Sequence, residues 1–156
     1  MASDLDISYL GSDHYSSRNG GKIRRIVLHT CEGAGAGCIS FLRHNSRKVS
    51  AHYVITSLGQ VVQLVKEQNQ ANHVRCCNED SVGIEHAGYA GKNAWTDAQL
   101  AASFALICDI LKRHNIPLSA HSVQSHATLD PSRRSDPGPY YPWLKMMRTV
   151  RACLNQ

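Results

Sequence analysis

Apolar, β-branched positions along this chain gather into short runs, and polar or glycine-bearing segments separate them. Ile23 to Thr30 (IRRIVLHT) is the first such run and predicts a buried strand. It stops at Cys31-Glu32-Gly33, and the small residues from Gly33 to Gly37 predict a flexible turn. No Gly-Lys-Ser/Thr follows, so this is not a phosphate loop. Cys38 to Arg43 (CISFLR) predicts one short helix. His52 to Thr56 (HYVIT) and Gln60 to Val65 (QVVQLV) flank Ser57-Leu58-Gly59 and predict a hairpin. Ser81 to His86 (SVGIEH), closed by Gly88, predicts another strand.

The pattern then changes period. Thr96 is a candidate N-cap, and Leu100, Phe104, Ile107 and Leu111 follow at helical spacing until His114-Asn115, before Pro117. Val123 sits in a short strand, and a loop carries Pro131, Pro137, Pro139 and Pro142. Trp143 to Leu154 predicts an amphipathic helix with Leu144, Met147, Val150 and Leu154 on one face. Strands and helices interleave around a hairpin, which predicts an α/β fold: a single domain with a central mixed β-sheet flanked by helices. Residues 1–21, polar and ending in Asn19-Gly20-Gly21, read as an N-terminal arm, and residues 22–156 as the domain.

Composition narrows the class. With 42% hydrophobic and 19% charged residues, the 156-residue chain has the balance of a folded soluble domain. No apolar run approaches the roughly 18 residues of a membrane span, and the N-terminus reads as lacking a signal peptide. The net charge of +5 is compatible with a polyanionic partner. The basic residues are scattered, however, without the clustered basic and aromatic positions of a nucleic-acid binder, so no nucleic-acid partner is expected. The six cysteines include no CxxC pair, which argues against a zinc finger. Cys31 and Cys38 could close a small loop, or Cys38 could be a buried residue on a helix face. Cys76-Cys77 reads as two independent thiols and Cys108 as a buried small hydrophobe.

Three polar side chains sit where strands end or loops turn. His29 ends the first strand, His126 ends the short strand before the proline-rich loop, and Asp136 lies in the stiff Asp136-Pro137-Gly138-Pro139 loop. Two imidazoles and a carboxylate suit Zn²⁺ with a fourth position open to water, a site that polarises a carbonyl and acidifies that water. Each histidine could equally be structural on spacing alone.

HTCEG at 29–33, SAHYVITSLGQVVQLV at 50–65, SVGIEHAGY at 81–89, and SH followed by RRSDPGP within 125–139 come in a fixed order. Together they resemble the zinc-dependent N-acetylmuramoyl-L-alanine amidases, a family that spans phage lysozymes and endolysins, cell-wall recycling amidases and peptidoglycan recognition proteins. The resemblance covers about residues 23–145. It implies zinc ligands at His29, His126 and Asp136, an open zinc-containing groove, and Glu85 as the acid that activates water. It implies an oxyanion-stabilising cation at Arg134, or at the adjacent Arg133, where many members have Lys.

His52 and His73 match family histidines near the substrate groove. His73 follows Asn72 where the family has Trp, and His52 could be a structural hydrogen-bonding residue instead. Ala51 stands where some phage members have a catalytic Tyr. Trp95 either floors the groove or caps the following helix. The intact ligand set favours a bacteriolytic or wall-remodelling hydrolase, acting as a monomer on peptidoglycan or muropeptides. The rivals are a non-catalytic peptidoglycan-binding module and a zinc peptidase acting within the stem peptide.

Overall fold

The computed structural model describes residues 5–156. In chain order the elements are β1 (Ile7–Tyr9), β2 (Tyr15–Ser17), β3 (Arg25–Thr30), α1 (Gly35–His44), β4 (Tyr53–Ile55), β5 (Val61–Gln63), β6 (Asn69–Ala71), β7 (Ser81–His86), α2 (Asp97–Arg113), β8 (Val123–Ser125), α3 (His126–Leu129) and α4 (Trp143–Leu154). A six-stranded mixed sheet runs β1-β5-β4-β7-β3-β8, and β2 and β6 form a separate antiparallel pair. The predicted hairpin is β4–β5, and the β4, β7, β3 and β8 neighbours are parallel.

Helices cover both faces, so the central strands read as continuous apolar runs. Ile26 and Leu28 of β3, Val82 and Ile84 of β7, and Tyr53 and Ile55 of β4 pack with Phe104, Leu106, Ile107 and Ile110 of α2 and Met146 and Val150 of α4. Val54 and Val62 point to the opposite face and pack with Cys38 and Leu42 of α1. Thr96 caps α2 as its spacing predicts, accepting a hydrogen bond from the Gln99 amide. In α4 the bounds agree with the sequence but the buried stripe is shifted. Met146 and Val150 are buried while Leu144 is 76% exposed, because Pro142 and Tyr141 fix the entry angle of the helix.

The first residues are more than an arm. β1 adds a parallel edge to β5, β2 pairs with β6, and Arg18 is buried. The Arg18 guanidinium donates to the carbonyls of Glu67, Asn78, Glu79 and Ser81, so a charged residue ties four backbone positions together. Of the cysteines, Cys31 and Cys38 close the small loop that their spacing allows, whereas Cys76, Cys77 and Cys108 differ from expectation in being paired. Cys31–Cys38 joins the end of β3 to α1, Cys108–Cys153 joins α2 to α4, and Cys76 pairs with Cys77. No helix of the described residues is long and apolar enough to cross a membrane.

Beside β4, Glu67 receives Arg113 through both terminal guanidinium nitrogens, the Tyr53 hydroxyl and the His114 ring. Burial opposes its ionisation, but hydrogen bonds from Arg113, Tyr53 and His114 outweigh that and hold Glu67 down at about 2, below its ordinary 4.5. A folded-state value below the unfolded one stabilises fully above pH 4.5, and that stability is lost as pH falls toward 2. The expected outcome is that wild type loses about 2–3 kcal/mol more stability than Glu67→Gln between pH 5 and pH 2. Denaturant titrations at the two pH values check this. Parallel curves for the two proteins would contradict it.

Candidate active site

The pleat of the sheet and the register of β3 against β7 build the centre of the site. Ile26 and Leu28 face α2, so Val27 and His29 face the other way; Val82 and Ile84 face α2, so Gly83 and Glu85 face the other way. In the parallel pairing His29 lies opposite Glu85. Two alternating strands in this register therefore set an imidazole and a carboxylate side by side at the carboxyl end of the sheet. His29 Nδ1 is 3.9 Å from Glu85 Oε1.

The other two ligand candidates arrive from the β8 side. Ser125 caps α3 by accepting from the Thr128 amide, and that short helix, absent from the sequence prediction, begins at His126. The Ala127 amide donates to the Asp136 carbonyl and closes the loop back onto α3. The Asp136–Pro137 peptide is cis, and Gly138 has φ of +88° with its Cα against the Ala90 carbonyl, a position where a side chain has no room.

Three donor atoms converge as a result. His29 Nδ1 lies 3.0 Å from His126 Nδ1 and 3.3 Å from Asp136 Oδ2, and His126 Nδ1 lies 3.3 Å from Asp136. A tetrahedral ion with bonds of 2.0–2.1 Å has donors about 3.3–3.4 Å apart. The nitrogen and oxygen donors, their spacing and their burial fit Zn²⁺. Burial opposes ionisation of Asp136, but hydrogen bonds from His126 and His29 hold its carboxyl well below the usual range. Burial also pushes His29 down, toward the neutral imidazole a metal requires.

Glu85 shares this space without a partner of its own. Its Oε2 is buried with no hydrogen bond. Burial first, then the charges of Asp136 and Glu32, push its carboxyl up to about 8, with Arg134 acting against them. A buried carboxyl raised in this way inside a cleft is a candidate proton-transfer group. Arg134 lines the same cleft, whereas Arg133 is bonded to Asp130 at 2.6 and 2.9 Å. Of the two candidate cations, Arg134 is the one that faces the site.

The cleft holds about 450 Å³ and is open to solvent. Its walls include the Cys31–Cys38 bridge and bring in residues that the sequence analysis did not single out: Phe41 at the end of α1, Arg47 and Val49 beyond it, and Glu32. Phe41, Arg47 and Glu32 are exposed. Their only advance signal is position, on the segment that follows the strand carrying His29. A larger cleft of about 1010 Å³ lies at another edge, around Lys22, Arg24 and Arg113, and contains none of the three metal-type donors.

Two residues expected near substrate sit elsewhere. His52 is wholly buried: its Nδ1 accepts from the Gly83 amide and its Nε2 meets the Asn69 carbonyl. Burial pushes it down to about 4, so it is a neutral structural histidine. Trp95 packs edge-on against His86 and Tyr141, on the α2 side of the sheet and away from the cleft. His73 does reach the cleft wall, but both of its ring nitrogens face protein atoms.

Comparison with known proteins shows the family. Residues 19–139 match the family described as N-acetylmuramoyl-L-alanine amidase, and the chain belongs to that family. N-acetylmuramoyl-L-alanine amidase A of Achromobacter lyticus is 36% identical, with 85% of each chain covered. The 1,6-anhydro-N-acetylmuramyl-L-alanine amidase AmpD of Citrobacter freundii is 32% identical over 66% of this chain, which spans 58% of that relative's length. Among solved structures, a selenomethionine AmpD superposes with a TM-score of 0.79 at 26% identity, covering 96% of this chain and 94% of that one. The Escherichia coli amidase AmiD, solved with anhydro-N-acetylmuramic acid-L-Ala-D-γ-Glu-L-Lys, gives a TM-score of 0.73 at 25% identity, covering 90% of this chain and 60% of that one.

Proposed function

We propose that this chain hydrolyses the amide between the lactyl group of N-acetylmuramic acid and the L-alanine of the peptidoglycan stem peptide, using a zinc ion held by His29, His126 and Asp136. The observation that carries the reading is the convergence of those three donors with an unpartnered Glu85 in one open cleft. Bound zinc supplies a Lewis acid that polarises the scissile carbonyl and acidifies the attacking water, and its charge draws Glu85 back toward the carboxylate.

Glu85 then takes the water's proton and delivers it to the leaving L-alanine amine. Oε1 is turned toward His29, and the free Oε2 can accept the proton without breaking an existing bond. Arg134 at the rim places positive charge where the carbonyl oxygen becomes anionic. The open cleft suits a polymeric substrate, which supports a wall-degrading, bacteriolytic role of the endolysin kind.

Mass spectrometry of a defined muropeptide after incubation tests the reading. The expected products are the free sugar acid and a stem peptide with an unblocked L-alanine amine, their summed mass exceeding the substrate's by one water. Cleavage inside the stem peptide would make the protein a peptidase. Binding without cleavage would make it a recognition module.

A further inference from the structure

The side chain behind the proposed ligand His29 is His73, and its surroundings are built to hold one ring in one place. Gly83, on the same face of β7 as Glu85, has no side chain, and the His73 ring lies in the slot this leaves. A Cβ on Gly83 would fall 2.6 Å from the ring. The loop carrying His73 is pinned by Asn78, whose Oδ1 accepts from the amides of His73 and Val74 and whose Nδ2 donates to the Val74 carbonyl. The ring thus has a fixed backbone and a fitted socket.

Its nitrogens face two defined atoms. His73 Nδ1 is 2.9 Å from His29 Nε2, and His73 Nε2 is 2.9 Å from Ser81 Oγ. The other nitrogen of His29, Nδ1, is the one that meets His126 and Asp136. An imidazole that offers a lone pair at Nδ1 keeps its proton on Nε2, and that proton needs an acceptor in a buried setting. His73 Nδ1 is the atom in place to accept it. With that lone pair used, the His73 proton sits on Nε2 and is donated to Ser81 Oγ.

We infer that His73 is the positioning residue of the site: it accepts the His29 Nε2 proton, fixes the His29 ring and its tautomer, and leaves Nδ1 free to bind the metal. Ser81 anchors the far side of the same hydrogen-bonded pair. His73 therefore acts through His29 and not by touching substrate, although it forms part of the cleft wall. The inference rests on the zinc reading above.

Zinc dissociation constants, measured by competition with a chelating indicator on wild type, His73→Leu and His73→Asn, provide the test. Leucine keeps apolar bulk and removes the acceptor. Asparagine can set its Oδ1 where Nδ1 stood. The expected result is a zinc affinity weakened about 10–100-fold in His73→Leu, the usual loss when the hydrogen-bond partner of a ligand is removed. His73→Asn should recover most of it, with metal-free melting temperatures alike in the two variants.

Equal zinc affinity in wild type and His73→Leu would overturn the inference, and so would equal losses in both variants. Wild type that binds no zinc would instead overturn the metal site itself. A second readout needs no variant: nitrogen NMR of zinc-loaded wild type should show His29 protonated at Nε2. A bare or metal-bound Nε2 would overturn the inference.

Discussion

Glu85→Gln should lower turnover by about 10²–10⁴-fold, the usual contribution of a positioned proton-transfer group. The amide has nearly the shape of the carboxylate but cannot accept the water's proton. Zinc content, fold and muropeptide binding should be unchanged, because Glu85 stands beside the three-donor cluster and is not one of its members. Steady-state rates beside a melting curve separate these effects. Near wild-type turnover would assign water activation to another group, and lost zinc would make Glu85 a ligand.

Removing the metal should have the larger effect. The cleft is framed by the β3–β7 pairing and by the Asp136 loop closed onto Ala127, so it should persist while the chemistry stops. Dialysis against a chelator should abolish hydrolysis, and one equivalent of Zn²⁺ should restore it. Asp136→Ala should not be rescued at the same zinc concentration. It removes one ligand and unpairs both imidazoles, although its backbone bond to Ala127 can remain. Restored activity in that variant at stoichiometric zinc would show that two histidines suffice.

What was legible in the sequence follows from what generates periodicity. β3, β7, the β4–β5 hairpin and α2 bury apolar faces on a fixed period, and their residues announced them. The registered pair His29 and Glu85 follows from that legibility, since alternation places both on one face once β3 and β7 are neighbours. Elements held by backbone pairing gave no such signal. β1, β2 and β6 are three residues each and largely polar, and Arg18 looks like a surface cation until the carbonyls it gathers are seen.

Long-range pairing was equally silent. Cys108 reads as a core residue of α2 because it is one, and its partner Cys153 lies 45 residues away. The family resemblance located His52 and His73 near the groove but could not say which way the rings turn. One ring turns inward to the Gly83 amide and the other toward His29. Likewise Arg133 and Arg134 are indistinguishable as neighbours in sequence, and only the bond from Arg133 to Asp130 separates them.

The central claim is that His29, His126 and Asp136 form a zinc site on which hydrolysis depends. Metal analysis of purified protein, read against muropeptide hydrolysis on the same sample, tests it most directly. The account predicts about one zinc per chain, with activity proportional to zinc content as the metal is withdrawn and returned. Full activity in protein that contains no metal would contradict it.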